Sequence, residues 1–498
     1  MPRFSLVACL VAMTFVPALL PAAPCIATQA MPAPDTQQCA PLLPALDLNY
    51  LWVPEGTTDT EHILPPFTAG CNDDLKVQLG GSFMWRYEKR RNFDLNKAVD
   101  DDDSLRFMRT FLDLDVVYRG MIRGYAQFID ARVGNARVEP SPFSINHWDI
   151  YQLYLELKES PESPFTLRLG RQVLPTVSEG RLWGKPPVEY YWFNMLPVFD
   201  GAMLDYKTKD FDSYWFLLQP LVPRSLNSAG VSVPDELNQI DQRWHYGTYN
   251  VYRGWAPHRF EFYFLGLRDN NDDRVFPPSY VSEDMTPGTL DRYTVGAFLR
   301  GPIRKWEGCG TLGYGLEGAF QWGHQSRDTI KAHMLHADIN YEWEHPWKPK
   351  VSLLGNIGSG DRRPMDGEIN TFDPLFGASH YGYGTMDLTR LSNLREVALT
   401  ASVDPTKKLK ITAGLHQFWL DSRTAPWLSP LGGNYGSDPT GKSGRDAGAE
   451  VDLTVAYQAS KKLRFETGVG HFFAGRFAEK QGRGDNASFA FFQTVLKF

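Results

Sequence analysis

Beyond its first thirty positions the sequence has no run of about 18 apolar residues, so no membrane-spanning helix is expected. Nor does any stretch show a sustained 3.6-residue period. Cysteine is scarce: of five, Cys39, Cys71 and Cys309 fall outside the N-terminal apolar segment. Export would permit a Cys39–Cys71 disulfide, leaving Cys309 alone in a Gly-rich turn. There is no basic block interleaved with aromatics, and the net charge is −7, which argues against a nucleic-acid partner.

What the chain does have is aromatic residues, with 14 Trp, 22 Tyr and 31 Phe, and the turn formers Gly and Pro, 43 and 35 of them. The dominant period is two. In LKVQLGGSFMWRYE, Leu75, Val77, Leu79, Phe83, Trp85 and Tyr87 share one side, while Lys76, Gln78, Ser82, Arg86 and Glu88 share the other. The alternation recurs in TLGYGLEGAFQW, KLKITAGLHQFW and AEVDLTVAYQ. The C-terminal stretch NASFAFFQTVLKF does the same: Phe492, Leu496 and Phe498 lie on an uncharged face, and Gln493 and Lys497 lie opposite.

Counting such segments gives eighteen strands, from 75–90 to 487–498. Short links (119–121, 159–164, 208–210, 405–408, 458–461) alternate with long ones (175–198, 220–243, 269–291, 359–392, 421–446). A sandwich gives no reason for that alternation, whereas an outer-membrane barrel has short turns on one side and long loops on the other. In hydrocarbon every backbone polar group must be paired, and a closed barrel leaves no edge. The expected fold is therefore all-β, a transmembrane antiparallel up-and-down barrel of about 18 strands over 74–498. Trp85, Tyr118, Trp322, Trp343 and Trp419, near strand ends, are expected in its interfacial girdles.

Before the barrel, Arg3 and the stretch FSLVACLVAMTFVPALLPAA read as a signal peptide over 1–30, with Ala27 or Ala30 ending the cleavage site. A lipoprotein reading would use Cys25, which Pro24 disfavours. A Pro-rich periplasmic arm over 31–73 is expected to follow.

Three motif matches lack the context their chemistry needs. GSDPTGKS (436–443) fits the phosphate-loop pattern, but an alternating strand follows it where a helix is required. GCGTLG (308–313) likewise opens a strand. His333 and His336, three apart on a strand, point to opposite faces and cannot share an ion. No cofactor or metal is expected. The acidic run Asp100–Asp103 falls in the first outer loop, a solvated segment or else a contact for divalent ions or lipopolysaccharide.

The residues left to carry function are those facing the lumen. Alternation assigns Lys76, Arg86, Arg109, Arg123, Arg168, Arg259, Lys410 and Arg464 inward, together with Asp113, Asp115, Glu156, Glu317, Glu450 and Asp452. Charges are tolerated there because they line water, and rings of them select permeants. Both signs occur in similar numbers, so an anion preference does not follow from this set.

Three stretches resemble the bacterial alginate export family: LRLGRQVL (167–174), the region 358–420 from GSGDRRPMDGEINTFDPLFGASHYGYGTMD into LSNLREVALTASVDPTKKLKITAGLHQFWL, and AGAEVDLTVAYQASKKLRFETGVGHFFAGRF (447–477). The resemblance implies an eighteen-stranded barrel that exports an anionic polysaccharide passively through an arginine-lined, loop-gated pore. The residues it carries over are Arg168, Arg171, Glu450, Asp452 and Arg464. Alternation sets Arg171 on the face opposite Arg168 unless a bulge intervenes. Ala474 in FFAGRF stands where the family is expected to have proline.

The sequence thus points to a non-enzymatic outer-membrane channel of Gram-negative type, expected to be a monomeric barrel. Its expected partners are outer-membrane lipid and lipopolysaccharide, an anionic polysaccharide or oligosaccharide, and periplasmic export machinery. The alternatives are a porin for small solutes and a barrel hydrolase with a Ser/His/Asp set at the membrane rim.

Overall fold

The computed structural model describes residues 67–69, 74–136, 144–176, 179, 181–184, 192–223, 237–239, 243–270, 288–377, 380, 382–430 and 434–498. The signal peptide, Cys39, Cys71 and most of the arm lie outside these. The chain forms eighteen long antiparallel strands closed into a barrel.

In chain order the strands are β1 Leu75–Arg91, β2 Asp103–Tyr118, β3 Ile122–Gly134, β4 Asn146–Leu157, β5 Phe165–Val173 and β6 Val198–Lys207. Next come β7 Phe211–Pro223, β8 Arg243–Tyr252, β9 Arg259–Asp269, β10 Leu290–Trp306, β11 Gly310–Gln325 and β12 Asp328–Trp343. The last six are β13 Lys350–Gly358, β14 Leu394–Thr406, β15 Leu409–Leu420, β16 Asp446–Gln458, β17 Leu463–Ala474 and β18 Ala487–Lys497. Each pairs with its neighbours in sequence, and β18 returns to pair with β1.

Ser82 to Arg91 oppose Lys497 to Ser488, and the last residue bonds to Gly81 through both its N–H and its C=O, at 3.0 and 2.8 Å. β1 is 17 residues long, so its lower end runs past the chain terminus. There Phe67–Ala69 takes the next place in the sheet, opposite Leu75–Val77. The expected periplasmic arm thus ends as a short strand of the wall.

Period-two chemistry sets the two faces. On β18, Phe492 and Leu496 are exposed outward, whereas Phe491, Gln493 and Val495 are buried inside. Leu153, Leu155, Leu217, Phe320, Leu335 and Val469 are likewise outward and exposed, as a lipid-facing wall requires. His333 faces out and His336 is buried within.

The alternation of short and long links has one exception. β11 and β12 meet at the outer end through Ser326 and Arg327 alone, with Ser326 at φ 55°. That low rim is built up by another segment: Glu368–Ile369 pairs in parallel with Thr329 and Ile330 of β12. Cys309 is a further difference, since it is disulfide-bonded rather than left over. The four other cysteines lie outside the described residues.

The motif matches take the forms their flanks predicted. Asp438 accepts from the Thr440 hydroxyl at 2.6 Å and from the N–H groups of Thr440 and Ser443, bonds that hold its carboxyl below the usual range, and β16 follows directly. In the first outer loop Asp101 and Asp102 accept from the backbone N–H groups of Asp94 and Asn92, so the acidic run organises its own loop.

Candidate functional site

The lumen is where charge, burial and long loops meet. The described residues of two outer segments, within 174–197 and 359–393, pack against the inner wall. In the first, Trp183 is 1% exposed and stacks on Phe216 and Tyr249, at 5.1 and 5.0 Å between centroids. In the second, Phe372, Tyr383, Met386 and Leu388 are buried in the same apolar cluster.

The segments also touch each other. Trp192 lies flat on His380, with centroids 3.8 Å apart and planes 7° off parallel, and donates its Nε1–H to Asp387 at 3.0 Å. A Cβ at Gly377 would collide with the Arg181 carbonyl oxygen, so glycine is needed where the segments cross.

Wall arginines hold both segments. Arg86 on β1 donates to the Trp192 carbonyl, stacks over the Trp192 ring and pairs with Glu88. Arg109 on β2 donates to the Phe193 carbonyl at 2.6 Å. On β10, Arg300 pairs with Glu179 at 3.1 Å and Arg292 pairs with Asp373, which Arg390 also meets at 3.1 Å. Burial pushes the Glu179 carboxyl up despite Arg181 and Arg300. The Asp373 carboxyl is held below the usual range, because Arg292 and Arg390 outweigh its enclosure.

From the first segment, Arg181 reaches Glu317 on β11 at 2.7 Å and the His336 ring at 2.8 Å. Onward, His336 meets Asn356, Asn356 donates to Glu396, and His416 lies 2.7 Å from Glu396 and 3.4 Å from Asp452. Glu450 sits beside this chain of contacts and accepts from the N–H groups of Thr385 and Met386 at 2.6 and 3.0 Å. A polar belt thus crosses the inner face from β11 to β16 at one level.

The candidates from the sequence therefore divide. Arg86, Arg109, Glu317 and Glu450 meet the inserted segments, and Asp452 lies on the wall 3.4 Å from His416. Asp113, Asp115, Arg123 and Arg168 lie nearer the short-turn end, in a second network. There Arg123 pairs with Asp115 at 2.8 Å and Glu156 at 3.1 Å, Arg168 pairs with Glu156, and Gln127 donates to Asp113. Lys76, Lys410 and Arg464 also face inward near the short turns, Arg464 beside Glu466 at 2.8 Å. Arg259 pairs with Glu261 at 2.8 Å on the inner wall.

Arg171 is a correction. It alternates with Leu169, opposes Leu153 and Asp200, and pairs with Asp200 at 3.0 Å on the outer face. No inversion of parity brings it inward. The sequence reading missed Glu179, Arg181, Trp192, Asp373, His380 and Asp387, which sit in segments without periodicity. Their only signal was charged and aromatic residues within long links.

Among solved structures, the chain is similar to Pseudomonas aeruginosa OpdK with vanillate, at 12% identity and a TM-score of 0.54, covering 85% of this chain and 98% of that one. It is also similar to Pseudomonas aeruginosa OpdL, at 11% and 0.53, covering 85% and 99%. Acinetobacter baumannii OccAB1 aligns at 12% and 0.53, covering 85% and 97%. At such identities the likeness is one of fold, that of outer-membrane porins. No curated protein matches the sequence significantly. The alginate export family model matches residues 75–491, all of the eighteen long strands but the end of β18. With an outer-membrane channel fold and a family match over most of its length, the chain belongs to the alginate export family.

Proposed function

We propose that this protein is a non-enzymatic channel in a Gram-negative outer membrane through which an anionic polysaccharide or oligosaccharide passes by diffusion. One observation carries the reading. Four wall arginines, Arg86, Arg109, Arg292 and Arg300, hold the carbonyls and carboxylates of the two inserted segments. When those segments move aside, the same guanidinium groups face the lumen, and their planar donors match a uronate carboxylate. The inserted segments thus occupy the positions that an acidic sugar chain would take. At the short-turn end, Arg123 and Arg168 stand where a polymer delivered by periplasmic machinery would first enter.

The test is current through the purified protein in planar bilayers, with polyuronate added on the short-turn side. Block is expected, and Arg168→Ala or Arg464→Ala should weaken it. Equal block by a neutral glucan of the same length would overturn the anionic assignment.

A second reading, a porin for small organic anions, draws on the fold shared with OpdK, which was solved with vanillate. Free conduction of small anions together with no block by polyuronate would favour it. The hydrolase alternative can draw on a pair at the outer rim, His471 Nδ1 2.9 Å from Ser488 Oγ. Among the described residues no carboxylate or amide oxygen contacts His471, so the group that would orient the base is missing.

A further inference from the structure

The outer wall carries charge as well as apolar side chains, at the level just below the long loops. Around most of the rim each outward cation has an acidic partner: Arg171 with Asp200, Arg268 with Asp291, Lys331 with Glu368, and Arg395 with Asp421. Across β1, β2 and β3 the balance differs. Lys89, Arg91, Arg106 and Arg132 all point outward and are exposed. Their acidic partners are two, Asp130 beside Arg132 at 2.9 Å and Asp102 at 3.6 Å from Arg91. Lys89 bonds to the Ser104 hydroxyl at 3.1 Å, and Arg106 has no acidic partner among the described residues. In the loop above, Asp101 and Asp102 accept from the backbone N–H groups of Asp94 and Asn92.

Register makes these cations one patch. Arg106 stands opposite Tyr87 and diagonal to Lys89, and Arg132 stands opposite Met108 and diagonal to Arg106. Diagonal neighbours on one face are roughly 7–8 Å apart, a spacing that a phosphate can bridge. Beside these cations and toward the short turns, the same strands and β18 present Trp85, Met108, Phe128 and Phe492, an apolar surface suited to acyl chains. A cation facing lipid is tolerated only near the interface, and there an anion in the headgroup layer offsets its charge.

We infer that this patch binds the phosphorylated glucosamine headgroup of an outer-leaflet glycolipid of the lipid A type. One phosphate sits between Lys89, Arg106 and Arg132, and the acyl chains run down the apolar wall beneath. The site lies outside the barrel and is independent of the cargo assigned to the lumen.

The test is binding of lipid A to delipidated protein in detergent, read by native mass spectrometry. The wild type should retain bisphosphorylated lipid A. The triple variant K89Q/R106Q/R132Q should retain at least tenfold less, while R268Q/K331Q on the far wall should match the wild type. The single variant Arg106→Gln, expected to give an intermediate loss, keeps the test open should the triple variant fold poorly. Equal retention by the patch variants would overturn the site. Equal retention of dephosphorylated lipid A would reduce it to acyl-chain contact and overturn it too. Displacement by inorganic pyrophosphate at the lipid's own concentration would assign the patch to a soluble anion instead.

Discussion

Trp192 and His380 stack face to face, 3.8 Å between centroids, and this contact joins two segments that enter the lumen from different sides of the barrel. Phe489 and Phe491 meet the other edges of the indole, at 6.1 and 4.9 Å, and Arg86 covers its face. Truncating a buried tryptophan costs roughly 3–5 kcal/mol, enough to shift a two-state equilibrium by about a thousandfold. Trp192→Ala should therefore release the first segment and raise single-channel conductance several-fold in planar bilayers. Conductance equal to that of the wild type would mean that the stack does not hold the lumen closed.

The wall of this barrel was legible in the sequence, because lipid on one side and water on the other impose a period of two on every strand. Val495 and Leu496 fall on the faces their positions predict, and so do His333 and His336. The inner site was legible only in half. Arg86 and Glu450 follow from alternation, but their partners Trp192, Thr385 and Met386 lie in segments whose path depends on contacts more than sixty residues away. Arg171 shows the converse: alternation placed it outside, family resemblance placed it inside, and the outward pairing with Asp200 follows the alternation.

Glu450 anchors the second segment through two backbone N–H groups, and Gly384 makes that approach possible. At φ 85° this glycine turns the chain so closely that a Cβ would meet the Glu450 carboxylate at 2.5 Å. Gly384→Ala should cost of order 1–2 kcal/mol in backbone strain beyond the clash. Glu450→Ala should remove the acceptor of both backbone N–H groups, bonds worth roughly 0.5–1.5 kcal/mol each. Both should raise the open fraction, and the double variant should add little to either, since the two residues share one contact. Additive effects in single-channel recordings would show that they act separately.

Charges on the two faces of β5 should behave differently. Removing Arg171 and Asp200 together, as Arg171→Leu with Asp200→Leu, takes an ion pair from the lipid side and should leave polyuronate block unchanged. Removing Asp200 alone leaves an unpaired arginine toward the outer rim, where such a charge costs about 0–1 kcal/mol. By contrast Arg168→Ala, one face over, removes a lumen-facing cation, leaves Glu156 to Arg123 alone and should weaken block by the polymer. A change in block with the Arg171 and Asp200 pair, measured in the same bilayers, would place that pair in the conduction path.

Acid should act on the second segment through Asp373. Its enclosure in the lumen pushes the carboxyl up, but Arg292 and Arg390 hold it below the ordinary aspartate value of 3.8. A carboxyl lowered in the folded state contributes its anchoring fully above the unfolded value and loses it as pH falls through the folded one. The segment should therefore stay seated from pH 8 to pH 5 and loosen only below 3.8. Asp373→Asn should be loose throughout that range, with a higher open fraction at neutral pH and less further change in acid. Recording open probability against pH for both proteins checks the sign. If both opened with the same midpoint near pH 6, the acid response would belong to a group other than Asp373.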